Sequence, residues 1–332
     1  MNSSEIIKIL RENEDYISGA QIAKGLGISR QAVSKHIVAL NNAGFKIENV
    51  RGKGYILLEE SEKVSSVGIK SRLNDRVIDF NVNYYDSIDS TNTQAVRLFN
   101  QNVNYISEKN GFLVVADEQT GGMGRRGRSF FSPPGESIYM SLLFRPKVMP
   151  MNVSCLTLVA AMAVYKAIKK NADIDIVIKW PNDILINGKK LCGILTQMSC
   201  ETDFISYVVV GIGINVNNKD MPEDIKNIAS SLFLETNNTF NREKIISDVT
   251  NYFENYYGIF KETGDLSGLV DEYNSYLINK DREVKIYGGM IEDTREEDIR
   301  IGTALGIDNT GSLLVKINGN VERIFAGEVS IR

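Results

Sequence analysis

Residues 174–195, IDIVIKWPNDILINGKKLCGIL, carry the clearest fold information in the chain. Ile174–Lys179 is an apolar run that predicts a buried strand. Asn187-Gly188 predicts a two-residue hairpin, because both central positions of a type I′ turn need positive φ. The apolar residues on both sides of this dipeptide are therefore predicted to be paired strands. The buried strand ends with a lysine, Lys179, and a carboxylate, Asp183, and Lys190 opens the next strand.

Further helices and strands are predicted on both sides of this hairpin. The strand-like runs are Gly111–Asp117, Ser137–Phe144 and Ile205–Ile214. Helices are predicted over Ser154–Lys170 and between Asn241 and Gly264, where apolar residues recur at helical spacing. This mixture predicts a central α/β domain. From Lys280 the chain changes to short strands with glycine-containing turns, which predicts a small C-terminal β-barrel.

The first 60 or so residues have the pattern of a helix-turn-helix. Ser18 and Gln21 form a capping box, Gly27 permits a tight turn, and Ser29 can cap a second helix. Polar and basic side chains then fall on the outer face of the second helix, as in a recognition helix, and a basic hairpin tip at 51–54 resembles a wing. The candidate DNA-contacting residues are Gly19, Ser29, Arg30, Gln31, Ser34, Lys35, Arg51 and Lys53.

Charge is distributed unevenly along the chain. The 332 residues include 38 basic and 42 acidic side chains, a net charge of −4. Between Ser18 and Tyr55, however, the chain contains six basic residues and a single acidic residue, Glu48. This local excess favours contact with phosphates, so we expect the N-terminal block to bind DNA. The alternative is a helical hairpin that serves only for protein contacts.

Composition excludes several classes of chemistry. The single histidine, His36, excludes a Ser-His-Asp triad in the body of the protein and any site with several histidine ligands, so no metal-ligating residues are predicted. Cys155, Cys192 and Cys200 form no C-x-x-C pair, which is typical of reduced thiols. No apolar run is predicted to reach the roughly 20 residues that span a bilayer. We therefore expect a cytoplasmic protein with no membrane partner.

A glycine-rich segment, QTGGMGRRGR at 119–128, follows a predicted strand. It contains G-x-G-x-x-G, but Pro133-Pro134 follows where a dinucleotide-binding domain would begin a helix, so that interpretation is disfavoured. Three arginines on a glycine-rich loop suit a polyanion, since a guanidinium pairs with phosphate oxygens through two donors. The alternative is a solvated basic loop. Glycines in 211–215, GIGIN, would permit the close approach of a ligand.

Seven segments of the chain together resemble one protein family. They are GAQIAKGLGISRQAVSKHI, RGKGY, DSTN, QTGGMGRRGR, KWPNDILINGKKLCGIL, GIGIN and the terminal GEVSIR. In this order and over nearly the whole chain, they resemble the family of bifunctional biotin protein ligases and biotin operon repressors. The resemblance implies an α+β fold with a winged helix-turn-helix over 1–62, a central mixed α/β ligase domain over 66–278 and an SH3-like β-barrel over 279–332. The polar residues 59–66 would form the first linker.

The resemblance also implies the activity. Such a ligase joins biotin to ATP, with Mg²⁺ expected, to give biotinyl-5′-AMP and pyrophosphate, and then transfers biotin to a lysine of the biotin carboxyl carrier protein of acetyl-CoA carboxylase. The adenylate-bound protein is expected to act as a homodimer that represses the biotin genes at an operator DNA. The alternatives are a biotin-sensing transcription factor without ligase activity and a lipoate-type protein ligase.

The resemblance assigns roles to particular residues. The biotin-binding set is Ser90, Thr91, Asn92, Gln119, Met123, Gly124, Arg125, Lys190 and Gly193. The ATP-binding set is Arg125, Arg128, Lys190, Asn215 and Arg332. The catalytic set is Lys190, Arg125 and Asp183. This chain departs from the family pattern at Met123, where an arginine is usual, and at Phe130, where a tryptophan is common.

The single histidine is compatible with this chemistry. Biotin's carboxylate is already ionised near neutral pH, so the first step needs no base. Its obstacle is the repulsion between an anion and the α-phosphate, which Lys190 and Arg125 are expected to offset. In the second step the acceptor amine must lose a proton, and Asp183 is the candidate to orient or receive it.

Overall fold

The computed structural model describes residues 2–74, 77–201, 204–288 and 295–331. The chain forms two compact units. The first unit consists of Met1–Asn74 and Asn241–Asp248, and the second consists of Asp75–Phe240 and Val249–Arg332.

The first unit contains the predicted helix-turn-helix. Its elements are α1 (Asn2–Glu12), α2 (Gly19–Leu26), α3 (Arg30–Asn42), β1 (Lys46–Val50), β2 (Gly54–Glu59) and α4 (Ser66–Lys70). Both halves of the capping box at Ser18 are formed, Gly27 ends α2 with φ of 64°, and Ser29 caps α3. Strands β1 and β2 pair antiparallel as a hairpin. The helices pack through their apolar faces, with Ile6, Ile22 and Val33 almost fully buried.

A seven-stranded mixed sheet is the centre of the second unit. Its strands are β3 (Asp79–Ile88), β4 (Asn110–Gln119), β5 (Ile138–Phe144), β6 (Ile176–Lys179), β7 (Asp183–Ile186), β8 (Lys189–Glu201) and β9 (Phe204–Ile214). The spatial order is β3-β4-β5-β9-β8-β7-β6. The β3–β4 pair is parallel and the other pairs are antiparallel. The hairpin predicted at Asn187-Gly188 joins β7 to β8, and the central mixed α/β fold is confirmed.

Helices accompany this sheet. They are α5 (Thr91–Gln101), α6 (Cys155–Asn171), α7 (Leu232–Thr236), α8 (Arg242–Thr263) and α9 (Val270–Tyr276). The first residues of α8 belong to the first unit and the rest to the second. In α6, eleven of 17 residues are buried. Within the described residues, one helical stretch, Pro150–Asn171, is long and apolar enough to span a membrane by length and composition alone, and 67% of its apolar 18-residue window is buried in the protein.

The C-terminal part of the second unit is a separate antiparallel sheet. Its strands are β10 (Glu283–Tyr287), β11 (Arg300–Ile307), β12 (Leu313–Ile317), β13 (Asn320–Ile324) and β14 (Glu328–Ile331), in the order β13-β12-β11-β10-β14. Alternate residues such as Leu313 and Val315 are buried, as expected for a sheet with one face in a core. The predicted β domain is thus present. Strand pairing over the described residues leaves β13 and β14 at opposite edges, so the SH3-like barrel stays a prediction.

Candidate active site

A pocket opens beside the central sheet and encloses about 480 Å³ of space, including the solvent at its open side. All nine residues of the predicted biotin-binding set line it: Ser90, Thr91, Asn92, Gln119, Met123, Gly124, Arg125, Lys190 and Gly193. The structure adds Phe130, Asn182, Ile194, Leu195, Gly211, Ile212 and Gly213. Residues up to 123 positions apart therefore share one cavity because α5, the glycine-rich loop and strands β8 and β9 meet there.

One end of the pocket is built from neutral polar groups. The backbone N–H and the hydroxyl of Thr91 both donate to Gln119 Oε1, at 2.9 and 3.1 Å. Asn92 Nδ2 donates to Gln197 Oε1 at 2.8 Å, and Ser141 Oγ donates to Asn92 Oδ1 at 2.6 Å. These side chains hold one another in place before any ligand binds. The arrangement suits a neutral ligand that offers both donors and acceptors.

The other end of the pocket carries opposite charges. Lys190 Nζ lies 2.7 Å from Asp183 Oδ1, and both side chains are partly exposed. The pairing of β7 with β8 shifts register between Ile184 and Leu185, a β-bulge of the kind that redirects side chains near active sites. The backbone of Lys190 is also paired with the chain at Ile228 and Ser230. Lys190 is thus held from two sides with its ammonium group at the pocket.

The glycine-rich loop brings a second cation to the same end. Gly124 N–H donates to Arg128 O at 2.6 Å and Arg126 adopts φ of 58°, so the loop turns back on itself. Arg125 Nη1 donates to Asn182 Oδ1 at 2.8 Å, and Nη2 donates to Gly327 O at 3.4 Å. Burial lowers the pKa of Arg125, while the nearby Asp183 carboxylate opposes that shift. An arginine nevertheless remains protonated in proteins, so the pocket contains a fixed positive charge.

The Phe130 ring lies against a cross-strand pair of glycines, Gly193 of β8 and Gly213 of β9. A Cβ added at Gly213 would lie 2.7 Å from the Phe130 ring, and one added at Gly193 would lie 3.6 Å from it. Only glycine at position 213 therefore lets the ring lie this close to the sheet. The sequence marked Phe130 only as a departure from a family pattern and did not assign Asn182 to the site. The signal for Asn182 was its place between two charged residues of the KWPND segment.

Three described residues of the predicted site are not among the pocket-lining residues. Asp183 lies beside the pocket, because its carboxylate pairs with the pocket-lining Lys190. Arg128 is 47% exposed and pairs with Glu328 at 2.9 Å. Asn215 is buried, and its Nδ2 donates to Ser230 O at 3.0 Å, so it holds the chain that follows β9. Arg332 lies outside the described residues.

The predicted DNA-contacting residues lie in the first unit, mainly on one helix and one hairpin. Seven of them are exposed: Ser29, Arg30, Gln31, Ser34, Lys35, Arg51 and Lys53. Gly19 is half-buried, with the ring of Tyr55 only 3.1 Å from where its Cβ would be. Lys53 Nζ lies 5.4 Å from the centre of the Tyr16 ring, a cation–π distance. His36 is tied to Ser3 by a 2.8 Å hydrogen bond between the two side chains.

The described residues contain no group of three His, Cys, Asp or Glu side chains that could hold a metal ion. Asp183, the acidic residue beside the pocket, is paired with Lys190. The side chains present therefore do not fit a protein-bound metal.

Comparison with known proteins identifies three successive matches along the chain. The model of an HTH domain matches residues 2–56, that of the biotin/lipoate A/B protein ligase family matches 84–215, and that of the biotin protein ligase C-terminal domain matches 291–332. The bifunctional ligase/repressor BirA of Bacillus subtilis (strain 168) is 37% identical over 96% of this chain and 94% of its own length. The Escherichia coli (strain K12) protein of the same name is 29% identical over 97% of this chain and 95% of its own length.

A solved structure is similar to about three quarters of this chain. The biotin protein ligase from Aquifex aeolicus in complex with biotin and ATP has a TM-score of 0.62 and 29% sequence identity, covering 76% of this chain and 98% of that one. The order of the three matched domains and the 37% identity to a relative over nearly the full chain indicate the same family, and the lining of the pocket agrees with it. The chain belongs to the family of bifunctional biotin protein ligase/repressors.

Proposed function

We propose that this protein is an ATP-dependent biotin protein ligase that forms biotinyl-5′-AMP, transfers biotin to a carrier-protein lysine and acts as a biotin-dependent repressor. The observation that carries the proposal is one pocket with two different ends. The neutral end at Thr91 and Gln119 suits the ureido ring of biotin, and the cationic end at Lys190 and Arg125 suits a reacting carboxylate and phosphate.

In the first step an oxygen of biotin's carboxylate attacks the α-phosphorus of ATP, and the bond to pyrophosphate breaks. Negative charge accumulates on the phosphoryl oxygens as the two anions approach. Lys190 and Arg125 would stabilise that charge more in the transition state than in the ground state, which is the condition for catalysis. Positioning and charge are sufficient because the nucleophile is already ionised. No histidine is needed.

In the second step the amine of a carrier lysine attacks the acyl carbon of biotinyl-5′-AMP, AMP leaves and the amine gives up a proton. Asp183 is the proposed group that orients the amine or receives this proton. Its carboxylate is beside the pocket and already 2.7 Å from an ammonium group, that of Lys190. The ammonium group of an incoming carrier lysine would share this carboxylate with Lys190.

ATP would be held by residues of the loop and of the C-terminal segment. We assign Arg128, Asn215 and Arg332 to nucleotide binding, together with Arg125 and Lys190. Since the described side chains offer no metal site, Mg²⁺ would enter bound to the phosphates of ATP as part of the substrate.

The first unit would serve the repressor function. Arg30, Gln31, Ser34 and Lys35 would face base edges and phosphates from α3, and Arg51 and Lys53 would contact phosphates from the β1–β2 wing. Binding to the operator would require a homodimer promoted by biotinyl-5′-AMP. We also propose the domain limits 1–62, 66–278 and 279–332, an SH3-like form for the last domain, and a cytoplasmic location.

A direct experiment tests the enzymatic proposal. The protein is mixed with biotin, Mg·ATP and the apo carrier domain of acetyl-CoA carboxylase, and the intact mass of the carrier domain is measured by mass spectrometry. We expect a gain of one biotinyl group that needs both biotin and ATP. An unchanged carrier mass rejects the ligase and leaves the non-catalytic biotin sensor. Preferential transfer of lipoate in a competition rejects biotin as the substrate.

A further inference from the structure

We infer that Asn182 is a positioning residue for adenylation: it holds the Arg125 guanidinium at the pocket through a neutral acceptor, which orients that charge without neutralising it. The inference rests on the proposed ligase function. It adds a residue to which neither the motif comparison nor the domain matches assign a role. Asn182 is 8% exposed and lines the pocket.

Two hydrogen bonds hold Asn182 against strand β8, and a third joins it to the glycine-rich loop. Its backbone carbonyl accepts from Ile194 N–H at 3.0 Å, and its Nδ2 donates to Ile194 O at 3.2 Å. Its Oδ1 accepts from Arg125 Nη1 at 2.8 Å. Because Nδ2 is committed to β8, the amide plane is fixed, and Oδ1 can point only towards the loop. This hydrogen bond thereby holds the long, flexible side chain of Arg125 in one orientation.

The turn that carries Asn182 is itself held from the C-terminal part of the chain. Trp180 N–H donates to Asn279 Oδ1 at 2.9 Å, and Trp180 Nε1 donates to Gly311 O at 3.0 Å. Trp180 and Asn279 are 2% and 0% exposed, so these bonds are protected from competition by water. Residues well outside the pocket therefore determine where the Asn182 amide lies.

The kind of acceptor matters as much as its position. The two hydrogen-bond acceptors of Arg125 described above, Asn182 Oδ1 and Gly327 O, are an amide and a backbone carbonyl. Arg128 on the same loop pairs instead with the carboxylate of Glu328. A carboxylate would cancel much of the charge that a phosphate must meet, whereas a neutral oxygen leaves it available. Arg125 thus differs from Arg128 in that its hydrogen-bond acceptors here are neutral oxygens.

The test is a double-mutant cycle on adenylation. Single-turnover pyrophosphate release from biotin and Mg·ATP is measured for the wild type, Asn182→Ala, Arg125→Ala and the double variant. Asn182→Ala should slow the step by about tenfold to a hundredfold, the range for one lost hydrogen bond to a charged group. In the Arg125→Ala background, Asn182→Ala should slow pyrophosphate release by less than about twofold more, since Asn182 acts through Arg125.

Two further variants separate positioning from folding. Asn152→Ala removes another amide-to-carbonyl hydrogen bond of the second unit, from Nδ2 to Gly264 O at 2.7 Å, and should leave the rate unchanged. Asn182→Asp keeps an acceptor beside Arg125 but adds a negative charge, so it should remain slower than the wild type and require more ATP. Thermal unfolding of each variant checks that the second unit stays folded.

The outcomes are distinct. Fully additive losses in the cycle, or wild-type rates for Asn182→Ala or Asn182→Asp, overturn the role assigned to Asn182 while the ligase stands. A wild-type protein that releases no pyrophosphate refutes the ligase and with it this inference.

Discussion

Replacing Glu243 with glutamine should make the stability of the first unit less dependent on pH. Glu243 lies in the first turn of α8 and is 2% exposed. The backbone N–H and the hydroxyl of Ser65 donate to its Oε2 at 3.3 and 3.2 Å. Nitrogens of Arg11 and Arg72 lie 3.9 and 3.8 Å from its Oε1. The carboxylate is therefore surrounded by opposite charge but removed from water.

Burial prevails over these charges and raises the pKa of Glu243 to about 7, from its usual 4.5. Because the folded-state pKa is the higher one, the folded protein binds more protons between these values than the unfolded chain. The free energy of unfolding therefore falls as pH rises through this window. From about pH 5 to about pH 8 the loss amounts to about 2 kcal/mol, since one pKa unit corresponds to about 1.4 kcal/mol.

The neighbouring acid does not act in the same window. Burial tends to raise the pKa of Glu60, but the hydrogen bond from Arg11 and the charges of Arg11 and Arg72 outweigh it, so the net shift is downwards. The stability that Glu60 contributes is thus lost only as pH falls below the usual pKa of a glutamate, 4.5. Glu60 therefore contributes little to the change in stability between about pH 5 and about pH 8.

Urea denaturation of the full chain provides the assay. Far-ultraviolet circular dichroism follows both units, and fluorescence of the single tryptophan, Trp180, follows the second. We expect the difference in unfolding free energy between Glu243→Gln and the wild type to change by about 2 kcal/mol in favour of the variant from about pH 5 to about pH 8. Glu262→Gln, an exposed charge removed from the same helix, is the matched control. An equal pH slope for wild type and Glu243→Gln would falsify the reasoning.

Three further changes test the site and the two-unit organisation. Gly213→Ala places a methyl group 2.7 Å from the Phe130 ring, an overpacking cost of about 1–3 kcal/mol, and should weaken biotin binding by calorimetry; unchanged affinity contradicts the tight fit. Lys190→Ala should slow adenylation by about 10²-fold or more while ligand-free DNA affinity stays similar; a parallel loss of both means that the variant has unfolded. Arg30→Ala should weaken operator binding by about tenfold and leave carrier biotinylation intact; an equal fall in ligase turnover contradicts separate modules.

Local features of the chain were predictable from the sequence. The capping box at Ser18, the left-handed Gly27 and the Asn187-Gly188 turn all form where their residue types indicate. Each depends on interactions within about four residues, so neighbouring side chains carry the whole signal. The predicted biotin-binding residues from Ser90 to Gly193 also line the pocket, but their prediction rests on a resemblance in motifs and not on the physics of single residues.

Residue patterns are therefore enough to predict the helix-turn-helix, the central hairpin and the kinds of residue available to the site. The pairing of the charges depends on the folded chain. Asn182 and Arg125 are 57 residues apart, and Arg128 and Glu328 are 200 apart. Nothing local tells which arginine meets a neutral amide and which meets a carboxylate. That choice arises only when the sheet, the loop and the C-terminal segment come together, because long-range contacts fix both the distance and the burial that set the strength of each charge.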